Sequence, residues 1–175
     1  MARTYRKKRY FKKTKYAQNI QEIDTIQINA QPNSTFFQSY QLTTNPQQDA
    51  NIPSRTFTVK NFAIDFYVDS ADGNGNGVIE DICAYIMFVP QGMTVTDNYN
   101  LQHPEYILNY KYLGGPSNDT NQPYQPTRIR TRLARKLQTG DSIVLFIKGN
   151  NTAPSGATAS AIYIHGLLRW WSKAN

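Results

Sequence analysis

The densest chemistry in this sequence lies at its amino terminus. Arg3, Arg6, Lys7, Lys8, Arg9, Lys12, Lys13 and Lys15 fall within residues 1–15, with no acidic residue among them. Tyr5, Tyr10 and Phe11 are interleaved with these cations, and Tyr16 follows. Cations at this density bind phosphates, and rings set between them can stack on unpaired bases. Phosphate contacts carry no base information, so sequence-specific recognition does not follow. A solubilising tail, a nuclear-import signal or an anionic membrane surface would use the same residues. The whole chain has 19 Lys and Arg against 12 Asp and Glu, a net charge of +7. A +8 arm is therefore joined to a body of net charge −1.

A second basic cluster comprises Arg128, Arg130, Arg132, Arg135 and Lys136. The first three arginines alternate with Ile129, Thr131 and Leu133, which predicts a strand with one strongly positive face. Burying unpaired charge is costly, so that face must be wet, paired with a neighbour's acids, or set against phosphate. The plainer alternative is a solvated edge strand whose charges discourage aggregation.

Other candidates are weaker. Asp72 to Glu80 resembles the front half of a calcium loop, but Cys83 stands where the bidentate glutamate belongs, and strands rather than helices are predicted on either side. The expected reading is a glycine-rich turn. Cys83, the single cysteine, allows no intrachain disulfide and reads as a small hydrophobe within an apolar run. Asp65, His165 and Ser160 could be drawn as a triad, yet no nucleophile elbow accompanies them. His103 and His165 lack a short metal-ligand spacing. The expectation is a protein with no catalytic residues, no cofactor and no bound metal. The longest apolar run, Ile82 to Val89, is too short to cross a membrane as a helix, and no signal-type apolar stretch opens the chain.

Elements must position these groups, and the composition points to strands. Aromatic residues make up 13% of the chain, with 12 Tyr and 8 Phe, while helix-favouring Ala, Leu and Glu runs are scarce. Periodicity predicts strands over 20–29 (as an edge strand), 36–42, Arg55–Val68, Val78–Val89, Tyr106–Tyr112, Thr127–Leu137, Ile143–Lys148 and Ala159–Trp171. A parity slip between Val59 and Phe62 predicts a bulge near Lys60 and Asn61, and another bulge is expected near Gly166. Val78–Val89 is apolar on both parities, so both of its faces should be covered. Residues 91–104 and 114–126 read as long polar loops. The sum is an all-β body of eight or nine strands, residues 17–175, behind a basic arm of about 16 residues expected to order only on a partner. A two-sheet sandwich or barrel fits such a body.

These parts together resemble the capsid proteins of small circular single-stranded DNA viruses, the circovirus-like group that encodes a rolling-circle replication protein. The resemblance rests on the short basic arm, the all-β body and the ending Gly166-Leu167-Leu168-Arg169-Trp170-Trp171. It also rests on Ile86-Met87-Phe88-Val89-Pro90-Gln91-Gly92, and on Arg132-Leu133-Ala134-Arg135-Lys136-Leu137 leading through Gly140-Asp141 into Ile143-Val144-Leu145. It implies an eight-stranded jelly-roll sandwich of the viral coat type, with strands lettered B to I in two four-stranded sheets. Sixty copies would close a T=1 icosahedral shell around a single-stranded DNA genome, in the virion and, during assembly, in the host nucleus. The implied partners are further copies of the chain, the genome, host import machinery and an attachment receptor, with no membrane insertion. Under that lettering Arg55–Val68 would be strand C, Val78–Val89 D, Tyr106–Tyr112 E, Thr127–Leu137 F, Ser142–Lys148 G and the last segment I. Strand H would have to fall in the short stretch 149–158, and only one of 20–29 and 36–42 would serve as B. Trp170, Trp171 and Tyr112 would supply apolar surface covered by neighbouring copies. Coats of small satellite RNA viruses have similar size and plan. A cellular single-strand-binding β domain and a carbohydrate-binding sandwich are the readings from other classes.

Overall fold

In a computed structural model of the chain, residues 16–45, 56–70, 79–114 and 127–174 are described. They form two antiparallel sheets packed face to face. One sheet runs in the order β1 (Ala17–Ala30), β9 (Ser160–Ala174), β3 (Phe57–Ser70), β6 (Thr127–Arg130), with β7 (Ala134–Leu137) also paired to β3. The other runs β2 (Ser34–Thr44), β8 (Ser142–Asn151), β4 (Ile79–Val89), β5 (Ile107–Gly114). We call these the arm sheet and the loop sheet. Consecutive strands alternate between sheets for most of the chain, a connectivity consistent with a jelly roll.

Counting β6 and β7 as two halves of one strand gives eight strands, and this corrects the lettering above by one place. Both early segments are strands, so 17–30 is B and 34–44 is C. Phe57–Ser70 then becomes D, Ile79–Val89 E, Ile107–Gly114 F, the β6–β7 pair G and Ser142–Asn151 H. No strand has to be sought in 152–159. The missing H arose from treating two edge strands as alternatives, when each borders a different sheet.

The alternation of side chains along each strand fills the space between the sheets. Ile23, Ile26 and Ile28 of β1, Phe62, Ile64 and Phe66 of β3, and Ile162, Ile164 and Leu168 of β9 meet Phe36, Leu42, Ile82, Ile86, Ile143, Leu145 and Ile147 from the loop sheet. Two bulges keep this face continuous. The pairing of β3 with β9 shifts between Lys60 and Ala63, where Asn61 adopts a left-handed φ of 54°, as the parity slip predicted. The irregularity expected near Gly166 is there, but in the partner strand: β9 itself stays regular against β3, with Ile162, Ile164, Leu168 and Trp170 on one parity, while the β1–β9 ladder shifts just beyond the Ile23–Gly166 pair. The irregularity lies opposite, in β1 between Ile23 and Ile26. Gly166 has a different role, because a Cβ there would meet the Asp65 carbonyl oxygen at 2.7 Å.

Buried polar groups close the two ends of the sandwich. At one end the Asp141 carboxylate accepts hydrogen bonds from the Gln91 and Gln138 amides at 3.0 and 2.8 Å. Its carbonyl oxygen accepts one from the Asn45 amide at 3.0 Å. At the other end the Asn151 side chain donates to the Ala30 carbonyl at 2.9 Å. The Gln138–Asp141 and Asn151–Ala30 bonds link the two sheets, and the others tie neighbouring strand ends of the loop sheet together.

The segment between β4 and β5 is more than a polar loop. It contains one helical turn, α1 (Tyr99–Gln102), and a 3-10 turn at Pro104–Tyr106. Tyr99 is buried against Met87, Val89, Val144 and Phe146 on the outer face of the loop sheet. Both faces of β4 are therefore covered, as its apolar parities predicted.

Candidate nucleic-acid interface

The outer face of the arm sheet carries Lys60, Arg128, Arg130 and Arg169. Thr127–Leu137 is not one strand: pairing to β3 is interrupted over Thr131–Leu133, directly across from the Asn61–Phe62 bulge. The Thr131 amide donates to the Phe62 carbonyl at 2.8 Å, and the Leu133 amide to the Thr131 hydroxyl at 3.1 Å. A bulge in one strand thus answers a kink in its neighbour, and the kink carries Arg132 outward.

The predicted arginine face divides into distinct environments. Arg128 and Arg130 are exposed on either side of buried Ile129, as the alternation required. The Arg128 guanidinium is paired with the Asp65 carboxylate, whose other oxygen accepts from Arg169 at 2.8 Å. The hydrogen bond from Arg128 holds the Asp65 carboxyl below its ordinary range, against the opposing effect of burial. Arg130 and Arg132 form no ion pair among the described residues. Arg135 departs from the cluster. It stands opposite Val59, donates to the Glu105 carbonyl at 3.1 Å and lies over the Phe88 ring at 5.6 Å. It closes the flank of the sandwich.

Register explains the shape of this surface. Ala63 is paired with Arg130 on one side and Arg169 on the other. A methyl group between two long side chains leaves a trough. Together with the bulge it forms a depression of about 420 Å³ lined by Asn61, Ala63, Arg130, Arg132, Arg169 and Trp171, among others. The Nε of Arg169 is buried and has no hydrogen-bond partner. One row further along, Lys60 is paired with Trp171, and its ammonium lies 3.7 Å from the centre of the Tyr16 ring. Tyr16 directly precedes β1, so residues 1–15 join the body beside this depression. The opposite end of the same face carries exposed Glu22 and Asp24, with His165 stacked on Tyr67 at 5.1 Å.

Several sequence-derived candidates separate in space or lie elsewhere. Arg3, Arg6, Lys7, Lys8, Arg9, Lys12, Lys13, Lys15, Tyr5, Tyr10 and Phe11 fall outside the described residues, as does the glycine-rich stretch 71–78. The drawn triad does not form. Asp65 is held by two arginines, His165 Nδ1 faces the Thr25 hydroxyl at 3.2 Å, and Ser160 is buried on the inner parity of β9. No cluster of three or more potential metal ligands occurs among the described residues. Trp170, expected as surface, packs on the core and stacks on Phe62 at 6.4 Å. Tyr112 is exposed as expected, with its hydroxyl donating to Asp81 at 2.8 Å. Arg169, Trp171, Lys60 and Asn61 are site residues that the spacing of basic residues does not point to. Their signals were in the sequence, as the Gly-Leu-Leu-Arg-Trp-Trp ending and the parity slip, but nothing there brings residue 61 beside 132 and 171.

No known family matches the sequence, and no curated protein does. Among solved structures, the chain aligns with VP1 of Trichodysplasia spinulosa-associated polyomavirus, a protein described in complex with 3'-sialyllactose. The identity is 10%, over 92% of this chain and 79% of that one, at a TM-score of 0.12. A likeness of that degree carries no argument, and what is established for this chain is the all-β, two-sheet sandwich itself.

Proposed function

We propose that this chain is the coat protein of a small virus: it self-assembles into a closed shell and packages a single-stranded nucleic acid through its arm and the basic end of the arm sheet. The observation that carries the reading is positional. The +8 arm enters the body at Tyr16, beside Lys60, on the face that bears the ordered arginines. Cations of the arm and of the sheet thus address one side of the wall, as a protein enclosing a polyanion requires. The jelly-roll-like connectivity and the capsid resemblance of the sequence support the same reading. A T=1 shell of sixty copies would bring on the order of 500 arm charges to the genome, neutralising a comparable number of phosphates. The genome class in this reading is single-stranded DNA, and nuclear assembly belongs to it. No catalytic role is assigned.

A cellular single-strand-binding domain would need an open aromatic platform on a sheet face. Among the described residues, the longest aromatic row across a sheet, Phe37–Phe146–Tyr85–Tyr110, has ring separations of 6.1, 5.9 and 5.8 Å. Its centre, Phe146, is fully buried, so that reading is not favoured.

Negative-stain microscopy of the purified chain tests the proposal. Uniform closed particles containing nuclease-protected nucleic acid are expected. Monomers or dimers alone, across low and high salt, would overturn it.

A further inference from the structure

We propose that the depression between β3, β6 and β9 is a site for one nucleotide of a single strand, with phosphate held by Arg130 and Arg132 and the base stacked on Trp171. The inference rests on the packaging reading and adds to it an ordered site of defined chemistry, separate from the arm.

Three observations converge on this site. The first is charge: Arg130, Arg132 and Arg169 line the depression, and the one carboxylate that meets this group among the described residues, Asp65, is shared between Arg169 and Arg128. Arg130 and Arg132 carry no acidic partner among the described residues, and a free pair of guanidiniums fits the oxygens of a phosphate. The second is a further guanidinium in the wall. Arg169, partly exposed, spends one terminal nitrogen on Asp65 and lines the depression beside Arg130 and Arg132. The third is shape and lining. The depression, about 420 Å³, falls in the range of roughly 300–1,000 Å³ that accommodates small ligands. Its wall includes the half-buried Trp171 indole, whereas Trp170 next to it is committed to Phe62. A simple phosphate would use the arginines and leave the indole idle; a nucleotide uses both.

The geometry also selects for strand type. The ring belongs to a sheet face and is flanked by Lys60 and the bulge, so a base must leave its stack to reach it. An unpaired base does so at little cost, whereas a paired one must first be opened. A single strand could run from this site towards Tyr16 and the arm, since the next cation in that direction is Lys60.

The test uses the full chain with three probes: an oligothymidylate, a DNA duplex of equal charge, and inorganic polyphosphate. Binding is read by anisotropy or competition, and by tryptophan fluorescence. We expect the oligothymidylate to quench fluorescence, and the quench to disappear in Trp171→Leu. That variant should bind the oligothymidylate roughly 5- to 150-fold more weakly, the range of one lost base stack, with polyphosphate affinity unchanged. Trp171→Phe should recover most of the loss. The double variant R130Q/R132Q should weaken both probes and lower the salt slope for the single strand by about 1.4. If Trp171→Leu binds all three probes as the parent does, the nucleotide site is overturned while packaging by the arm stands. If the parent chain binds none of them, the packaging reading falls as well. Near-ultraviolet dichroism of each variant establishes that the fold is retained.

Discussion

The two outer faces of this sandwich are built from the same kind of strand and finished in opposite ways. On the loop sheet, Phe146, Met87 and Val144 point outward, and residues 90–106 fold back over them. Tyr99 anchors that cover: it is buried, its hydroxyl donates to the Phe88 carbonyl at 3.3 Å, and burial pushes its ionisation up to about 12. Lys148 ties the segment down by donating to the Asp97 carbonyl at 2.9 Å and the Asn98 side chain at 3.2 Å. On the arm sheet, the equivalent outward positions are Lys60, Ala63, Asp65, Arg128, Arg130, Arg169 and Trp171, and the depression among them stays open. One face has spent its side chains on its own loop. The other keeps charge and an aromatic ring available, next to the point where the arm begins. A sheet needs only one buried face to be stable, so the second is free to be used for cover or for contact.

Variants that touch one face and spare the other can break this contrast. The largest effect is expected from removing residues 1–15. The salt slope of single-strand binding should fall by about 5 to 6, the share of eight phosphate contacts, and affinity at low salt by several orders of magnitude. Titration of the oligonucleotide at several salt concentrations measures this, with the thermal midpoint unchanged. On the loop sheet, Tyr99→Ala should cost about 3 kcal/mol in stability, because a buried ring is lost and its cavity only partly collapses. Denaturant midpoints would register that loss while the salt slope stays at the parent value. An equal change in binding would mean the two faces are coupled.

Smaller effects sharpen the architecture of the arm sheet. Gly166→Ala places a Cβ against the Asp65 carbonyl, on backbone that cannot swing aside. A cost of about 1–3 kcal/mol is expected, visible as a lower denaturant midpoint together with faster amide exchange along β9. Asp65→Asn should cost about 1 kcal/mol, since the Arg128 side chain is half-exposed and solvent screens the pair. Because the folded-state value for Asp65 is depressed, its contribution is present above the unfolded value of about 3.9 and is lost as pH falls through the folded value. The parent should therefore lose stability on acidification from pH 5 towards pH 2 more steeply than Asp65→Asn. Coincident profiles would remove Asp65 from the account of this face. At neutral pH the same variant frees two guanidiniums and should tighten polyphosphate binding slightly.

Much of the fold was legible because it depends on period two. The strand at 57–70, with its bulge at Asn61, was readable from the parity of Val59 and Phe62. Coverage of both faces of 79–89 was readable from apolar residues on both parities. Other expectations failed where parity says nothing about partners. The bulge assigned near Gly166 belongs to the neighbouring strand, since a ladder irregularity is a property of the pair. Thr127–Leu137 alternates well enough to pass as one strand, yet it breaks at Thr131 because β3 bulges opposite it. Residues 91–104 look polar, and their burial of Tyr99 requires the apolar outer row of the loop sheet to be in place.

By itself, then, the sequence determined the separation of charge into an arm of +8 and a body near neutrality, the all-β class, and the residue types available for phosphate and base. Those properties are local or additive, so they can be read in one dimension. Only the tertiary structure decided which arginines are spent and which are free. Asp65 reaches Arg128 across 63 positions and Arg169 across 104, and Ala63 opens a trough because strands far apart in the chain become its neighbours. Pairing of distant strands sets those distances, and no spacing along the chain encodes them.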